Sequence, residues 1–420
     1  MIIKLAEKLK PYLLKILPYE VLKKIKDAIV AGKEKKLKAE GRKPFDPAKY
    51  EKGVNLIGGI RMQTGLGQSC RLIAELLEHI FMPYTICEYC ADQQIRCNDH
   101  QYDEKITNEK KYGINLLHLN PYELRMGYVD MGNELLDYHY NIGYWLYELD
   151  KLPDGWIEAI DLVQEIWTPS EYTGNLFRKV TDKPVYTMPY SVSAPTDESM
   201  DRAYFGLPKD QFLYLVMYDT NSTSARKNPQ GAIRAYKKAY PIERADVGLV
   251  VKINHMRPED EAFLKKELEG YQNVYFISKT LDKIEVNSLI KDVDVFVSLH
   301  RAEGFGLVMA EAMLNGTACI ATNYSSNTEF MDEECACMVS YELVPFTGDT
   351  GQYPKGSQCA EASITEAASY MIKLQENPDF YQTIVTNAKK RMSEEMNVEK
   401  ASKRIEKRLL EIYENTRNWK

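Results

Sequence analysis

The chain contains no apolar run approaching the roughly 18 uninterrupted residues that a membrane-crossing helix requires, which excludes a span read from sequence. Its opening, "MIIKLAEKLKPYLLKILPYEVLKKIKDAIV", also lacks the clean apolar centre of a secretory signal, because lysine returns every few residues. Eight cysteines scattered over 420 residues form no regular framework. That argues against a disulfide scaffold and for reduced thiols in a cytoplasm. Positive charge is also short: 54 Lys and Arg against 61 Asp and Glu leave −7, which argues against nucleic acid as the main partner. There is no short-period repeat and no low-complexity tract.

The charge that is present is unevenly spread. Residues 1–43 hold 13 Lys/Arg and 5 Asp/Glu, a net of +8, so the remainder carries −15. A basic end on an acidic body suggests that the end meets something anionic. Pro11 and Pro18 break this end into short helices. After Pro18, the residues Val21, Leu22, Ile25, Ala28 and Ile29 share one helical face, with Lys23, Lys24 and Lys26 off it. Residues 1–31 are therefore expected to touch an anionic membrane surface or a membrane partner. The competing reading is a helix packed on its own protein. The segment "AGKEKKLKAEGRKPFDPAKY" then reads as a charged linker, which makes residues 1–48 an extension ahead of the first domain.

From residue 53 the pattern becomes strands alternating with helices. Strand candidates are "GVNLIG", "YTIC", "INLLH", "YNIGYW", "EIWT" and "VYTM". A Pro/Ser-rich stretch, "PYSVSAPTDESM", precedes a second series, "FLYLVM", "GLVVKI", "NVYFIS", "DVFVSL" and "ACIAT". Such alternation predicts parallel sheets covered by helices on both faces. The expected fold is α/β: two Rossmann-like domains, 49–190 and 191–395, facing across a cleft. Val398, Ala401, Ile405, Leu409 and Ile412 mark an amphipathic helix in the tail 396–420, with Trp419 as an end anchor. That helix is expected to pack back on the first domain.

Ligands of open parallel sheets sit beyond the carboxyl ends of the strands, and three stretches should line the cleft there. In "GGIRMQTGLGQS", Gly65 and Gly67 would let the backbone approach a phosphate at a helix N-terminus. The third glycine of a dinucleotide fingerprint is missing. In "SARKNPQGAIRAY", Arg226 and Lys227 lie together before a helix beginning near Pro229, an arrangement that a diphosphate would stabilise. Lys252, closing the strand "LVVKIN", is a third cation candidate. In "HRAEGFGLVMAEAMLNGTACIATN", Glu303 lies in a tight loop and Glu311 inside the following helix. A carboxylate aimed at a nucleotide can accept both ribose hydroxyls, while one in the loop can touch a sugar ring, and the adjacent glycines would admit the ligand.

Together these motifs resemble the retaining glycosyltransferases of the GT-B fold, glycosyltransferase family 4 (glycosyl transferases group 1) in particular. The resemblance rests on the Glu-x7-Glu spacing of "EGFGLVMAEAM", with "TGLGQS", "LLHLNP", "EIWTPSEYTGNLF", "RKNPQG" and "MPYSV" in the family's order, over residues 53 to 415. Asn228 departs from it, glycine being commoner there. The resemblance implies Glu303 and His118 beside the transferred sugar and Glu311 on the ribose. It implies Arg226 and Lys227 on the leaving diphosphate, and Gly65 and Gly67 with their N–H groups at the β-phosphate. Lys252, Gly304, Phe305, Gly306, Leu307 and Asn327 complete the expected donor site. Glu148 and His100 are weaker acceptor-side candidates.

No metal or other cofactor is expected. The one Asp-x-Asp, Asp292 and Asp294, borders a buried strand and reads as punctuation. Cys87, Cys90, Cys97 and His100 resemble half of a zinc module, but the spacer of six is short. The loop reads better as an acceptor-side insertion with His100 and Tyr102 at the cleft mouth. The implied activity is transfer of a hexose, with retention, from a nucleotide diphosphate sugar to a saccharide or lipid-linked saccharide. It belongs to surface polysaccharide biosynthesis, in a cytoplasmic enzyme peripheral on the inner face of the plasma membrane. A nucleotide-sugar epimerase of the same architecture and a non-catalytic scaffold subunit are the alternatives.

Overall fold

A computed structural model describes residues 18–90, 95–220, 224–348 and 353–415. The expected helix break at Pro11 and the anchor at Trp419 lie outside them.

Helix α1 (Tyr19–Glu40) begins after Pro18, whose ring fits the flank of a helix but not its interior. The strands of the first domain are β1 (Glu51–Gly58), β2 (Tyr84–Glu88), β3 (Tyr112–His118), β4 (Tyr140–Tyr144), β5 (Glu165–Thr168) and β6 (Val185–Thr187). Between them run α2 (Gly65–His79), α3 (Pro121–Met131) and α4 (Glu171–Arg178). All pairings are parallel, in the order β2-β1-β3-β4-β5-β6. Val54, Leu56, Ile114, Leu116 and Ile142 are buried on one face of the sheet and Ile57, Leu117 and Ile166 on the other, so the strands are covered on both sides.

The second sheet is likewise parallel, in the order β12-β11-β10-β7-β8-β9. It comprises β7 (Phe212–Asp219), β8 (Val247–Asn254), β9 (Val274–Ile277), β10 (Val295–Ser298), β11 (Ala318–Thr322) and β12 (Cys337–Val339). Its helices are α5 (Pro229–Ala239), α6 (Pro258–Glu267), α7 (Lys283–Asp292), α8 (Leu307–Asn315), α9 (Ile364–Glu376) and α10 (Pro378–Glu395). The last helix, α11 (Val398–Glu414), returns to the first domain. Tyr413 accepts the Gly53 N–H (2.8 Å) and donates to its carbonyl (3.0 Å), and Arg408 pairs with the fully buried Glu165 (2.6 Å).

Residues 31–40 are not a linker. α1 continues through them because Glu34 is buried and holds Arg125 of α3 through two bonds of 2.9 and 2.6 Å. Val30 packs on Met126 and Val129, and the Leu37 carbonyl accepts from Asn133. One face of α1 is therefore docked. The face carrying Val21, Ile25 and Ile29 is 40%, 47% and 44% exposed.

Each sheet has one place where the strand order reverses: between β1 and β3 in the first, and between β7 and β10 in the second. Chain connections leave in opposite directions there, opening a crevice beyond the strand ends. The glycine loop and His118 fall at the first such point, and Arg226, Lys227 and the Glu303 loop at the second.

Candidate active site

The Glu303 loop is built by its own buried polar groups. His300, which sequence reasoning passed over, is fully buried behind β10, with Nε2 near Asn327 Oδ1 (3.0 Å). The Thr322 hydroxyl donates to the His300 carbonyl (2.7 Å), and the Glu303 N–H donates to Ser325 (2.8 Å). Gly306 caps α8 at φ +95°, and a Cβ there would lie 2.7 Å from the Met309 methyl, so the turn requires glycine. Asn327 is fully buried. Its amide donates to the Thr322 carbonyl (3.0 Å) and its oxygen meets His300, so it is committed to ordering the loop.

Arg226 and Lys227 precede Asn228, which adopts the left-handed conformation (φ +49°, ψ +49°). Asparagine tolerates that region, which explains why glycine is dispensable at this turn. Its side chain caps α5 through the Gly231 N–H (3.1 Å) and donates to the Leu299 carbonyl (2.9 Å), tying the two loops together. Arg226 is 5% exposed. It donates to the Ala302 carbonyl (2.9 Å) and pairs with Glu303 (3.3 Å) and with Glu148 of the first domain (3.6 Å). Glu148 is thus a partner of a donor-side cation across the domain boundary. Lys227 pairs with Glu303 while its side chain stays 27% exposed.

Burial pushes the Glu303 carboxyl up, but Lys227, Arg226 and then His300 prevail and hold it at about 2. Glu311 is 1% exposed on α8 and pairs with Lys283 at the start of α7, a residue that sequence reasoning missed. Burial raises its carboxyl against the pull of Lys283, and Oε2 has no partner. Lys252 is buried at the end of β8 and donates to Asn254 (2.5 Å), and burial lowers its ammonium to about 8. The carboxyl edge of the second sheet therefore presents cations and carboxylates on neighbouring strand ends.

Across the cleft, His118 is 1% exposed, stacks on Tyr144 (5.1 Å) and bonds Ser69 through Nε2 (2.6 Å). Ser69 also meets Tyr190 (2.5 Å). Burial lowers the imidazole to about 4, so it is neutral at pH 7, with Nδ1 unpartnered. Gly65 opens α2 with free space around it. Gly67 abuts the Met62 carbonyl, and its N–H is taken by Thr64 (3.2 Å), so this glycine serves the loop's own packing. His100 sits exposed on Asp103 (2.9 Å), whereas Tyr102 is buried in the core and not at a cleft mouth. Among the described residues, no group of His, Cys, Asp and Glu has the geometry to hold a metal ion.

The two domains touch directly at this site. Ser170, the cap of α4, donates to the Gly304 carbonyl (3.0 Å) and meets Ser326 (2.9 Å). Glu329 accepts the Glu171 and Tyr172 N–H groups (2.9 and 2.8 Å), adding a carboxylate to the positive end of that helix. A Cβ on Gly304 would stand 3.1 Å from the Tyr147 carbonyl, so glycine here admits the facing domain's backbone. Phe305 packs on Tyr190 (4.8 Å), while Leu307 begins α8 half-buried against the core.

Two parallel Rossmann-like sheets with facing switch points define the GT-B fold. Residues 202–391, which lie in the second domain, match the family model described as Glycosyl transferases group 1. Comparison with curated proteins gives no match. Among solved structures, the chain is similar to HepE of Anabaena in complex with UDP and glucose, at 12% identity and a TM-score of 0.63. That match covers 86% of this chain and 100% of the other. It is similar to a sucrose-phosphate synthase of Thermosynechococcus elongatus at 14% identity, TM-score 0.63, covering 87% and 100%. The pneumococcal O-GlcNAc transferase GtfA, in complex with UDP and GlcNAc, gives 13%, 0.52, 71% and 57%.

Proposed function

We propose that this protein is a retaining glycosyltransferase that moves a hexose from a nucleoside diphosphate sugar to a saccharide or lipid-linked saccharide during surface glycan assembly. The observation that carries the reading is the Arg226–Lys227–Glu303 cluster at the second switch point, with buried Glu311 just over one turn into α8. Breaking a sugar–phosphate bond places negative charge on the departing diphosphate. Fixed cations aimed at that charge stabilise the transition state without reorganising. Lys227 is exposed enough to turn from Glu303 to the phosphates, whereas buried Arg226 stays between Glu303 and Glu148. Lysine and arginine thereby take the role that a divalent metal fills elsewhere.

Glu303, ionised throughout the neutral range, would face the positive charge growing on the anomeric carbon. Glu311 would accept the ribose hydroxyls, releasing Lys283. Retention, carried from the family resemblance, has the acceptor oxygen add on the face the diphosphate leaves, its proton passing to a diphosphate oxygen. Neutral His118 would contribute a hydrogen bond at the sugar.

A thermal-shift panel of the uridine, guanosine, adenosine and thymidine diphosphates and their hexose conjugates tests this. At least one conjugate should raise the melting temperature and, with acceptor, be consumed with retained configuration. A panel with no shift would favour the scaffold reading; donor turnover without acceptor would favour the epimerase.

The exposed Val21, Ile25 and Ile29, beside exposed Lys24, Lys35 and Lys36, support docking of α1 on the inner membrane face, where a lipid-linked acceptor resides. The protein is expected to cosediment with vesicles containing one-third phosphatidylglycerol, and to be released at about 0.5 M salt. Ile25→Asp with Ile29→Asp should abolish binding; unchanged cosedimentation would remove the membrane from this account.

A further inference from the structure

Between β12 and α9 the chain inserts an antiparallel hairpin, β13 (Tyr341–Pro345) and β14 (Gln358–Ala362), which belongs to neither parallel sheet. Its second strand meets the Glu303 loop at Arg301. The Ala360 N–H donates to the Arg301 carbonyl (2.9 Å), and Glu361 accepts from Nε (2.7 Å) and Nη2 (2.6 Å) of the Arg301 guanidinium.

Arg301 also reaches the segment that carries the donor cations. Arg226 and Lys227 belong to a single helical turn, Ser224–Lys227. One turn fixes several dihedral angles for one hydrogen bond, so it does not sustain itself. Its carbonyls also lack partners within it. The Asn228 N–H donates to the Ser224 carbonyl (2.8 Å). Arg301 satisfies the next two carbonyls. Its Nη1 donates to Ala225 (2.6 Å), and its backbone N–H donates to Arg226 (2.7 Å). Each guanidinium nitrogen is thus engaged, and Glu361 offsets the charge, so Arg301 serves the turn.

We propose that Arg301 is a positioning residue of the diphosphate site. By closing the turn it fixes where Arg226 and Lys227 stand beside Glu303, and both cations are ordered before a diphosphate arrives. Without Arg301 the turn frays, and the entropy lost in ordering it opposes binding. The inference rests on the proposed donor site and deepens it.

Titration calorimetry on the full chain tests this with UDP, GDP, ADP and TDP, each beside its parent nucleoside. Arg301→Met is expected to weaken the preferred diphosphate roughly tenfold, the scale of a lost hydrogen bond to a charged group. Nucleoside affinity should be unchanged, because Glu311 is anchored separately, by Lys283. Glu361→Ala removes the ion pair but leaves both bonds to the turn, so its diphosphate affinity should stay within about twofold of the parent's. Equal losses for diphosphate and nucleoside, or no loss for either, in Arg301→Met would overturn the assignment. So would a Glu361→Ala protein as weak as Arg301→Met, since the hairpin and not the turn would then be responsible. If Arg301→Met fails to fold, Arg301→Lys carries the test, because one ammonium cannot serve Glu361 and Ala225 as the fork does. A loss confined to the diphosphate then supports the assignment, whereas parent-like affinity or an equal loss for the nucleoside overturns it. A parent protein that binds none of the four diphosphates would remove the proposed function itself, an outcome distinct from a parent and Arg301→Met that bind equally well.

Discussion

Glutamine in place of Glu303 is expected to lower the melting temperature at pH 7 by roughly 6–10 °C and turnover by on the order of a hundredfold. The carboxyl lies at about 2 instead of 4.5, a difference worth about 3 kcal/mol at neutral pH. The sign follows from the depressed value. The stabilisation is fully present above about pH 4.5 and disappears as the pH falls towards about 2. Melting curves of parent and Glu303→Gln should therefore converge over that acid window and stay apart above it. Glu311 works in the opposite sense: burial raises its carboxyl, so its own contribution weakens as pH rises. A parent–variant gap that persisted unchanged into acid would mean that Glu303 acts through packing and not through its charge.

Catalysis and stability draw on Glu303 differently. The folded chain uses it to neutralise Arg226, a cation too deeply placed to be left alone. The proposed reaction uses it after Lys227 has turned to the phosphates, when its charge is less compensated and nearer the sugar. A variant that keeps melting temperature but loses turnover would point to the second role alone.

Both sheets were legible because their strands are buried on two faces and read as plain apolar runs, as with "INLLH" and "FLYLVM". The hairpin was not. Tyr341, Glu342 and Leu343 are exposed, Pro345 ends the strand, and pairing with Gln358–Ala362 leaves no periodic mark. The extent of α1 was missed for a related reason. Its lysine-rich second half looks solvated, and only the distant Arg125 gives Glu34 a reason to be buried. At the site, residue types announced the cations and the two glutamates, since glycine-bracketed loops at strand ends have few other uses. Partners were hidden. Nothing in sequence joins Lys283 to Glu311, or Glu148 to Arg226 of the facing domain, because each contact depends on how separate segments meet. The bonds of Asn327 to His300 and Thr322 were hidden in the same way.

Glu311→Ala should weaken the preferred nucleoside diphosphate by about a hundredfold or more, because a carboxylate gripping two hydroxyls loses two charge-assisted hydrogen bonds. At a concentration of about 100 times the parent's dissociation constant, the ligand stabilises the parent by about 2.7 kcal/mol. The same concentration should leave the variant almost unmoved. The folded protein tolerates the change better than burial alone suggests, since Lys283 is about one-third exposed and can turn to water when its partner is removed. The ligand supplies the stricter control. A 2′,3′-dideoxynucleoside diphosphate lacks the two hydroxyls, so it should bind the parent about as weakly as the normal diphosphate binds Glu311→Ala. It should bind parent and variant alike, because there is no ribose contact left to lose. If the dideoxy ligand still discriminated between them, Glu311 would be acting through Lys283 and the shape of α7, and the ribose would have to be held by another group.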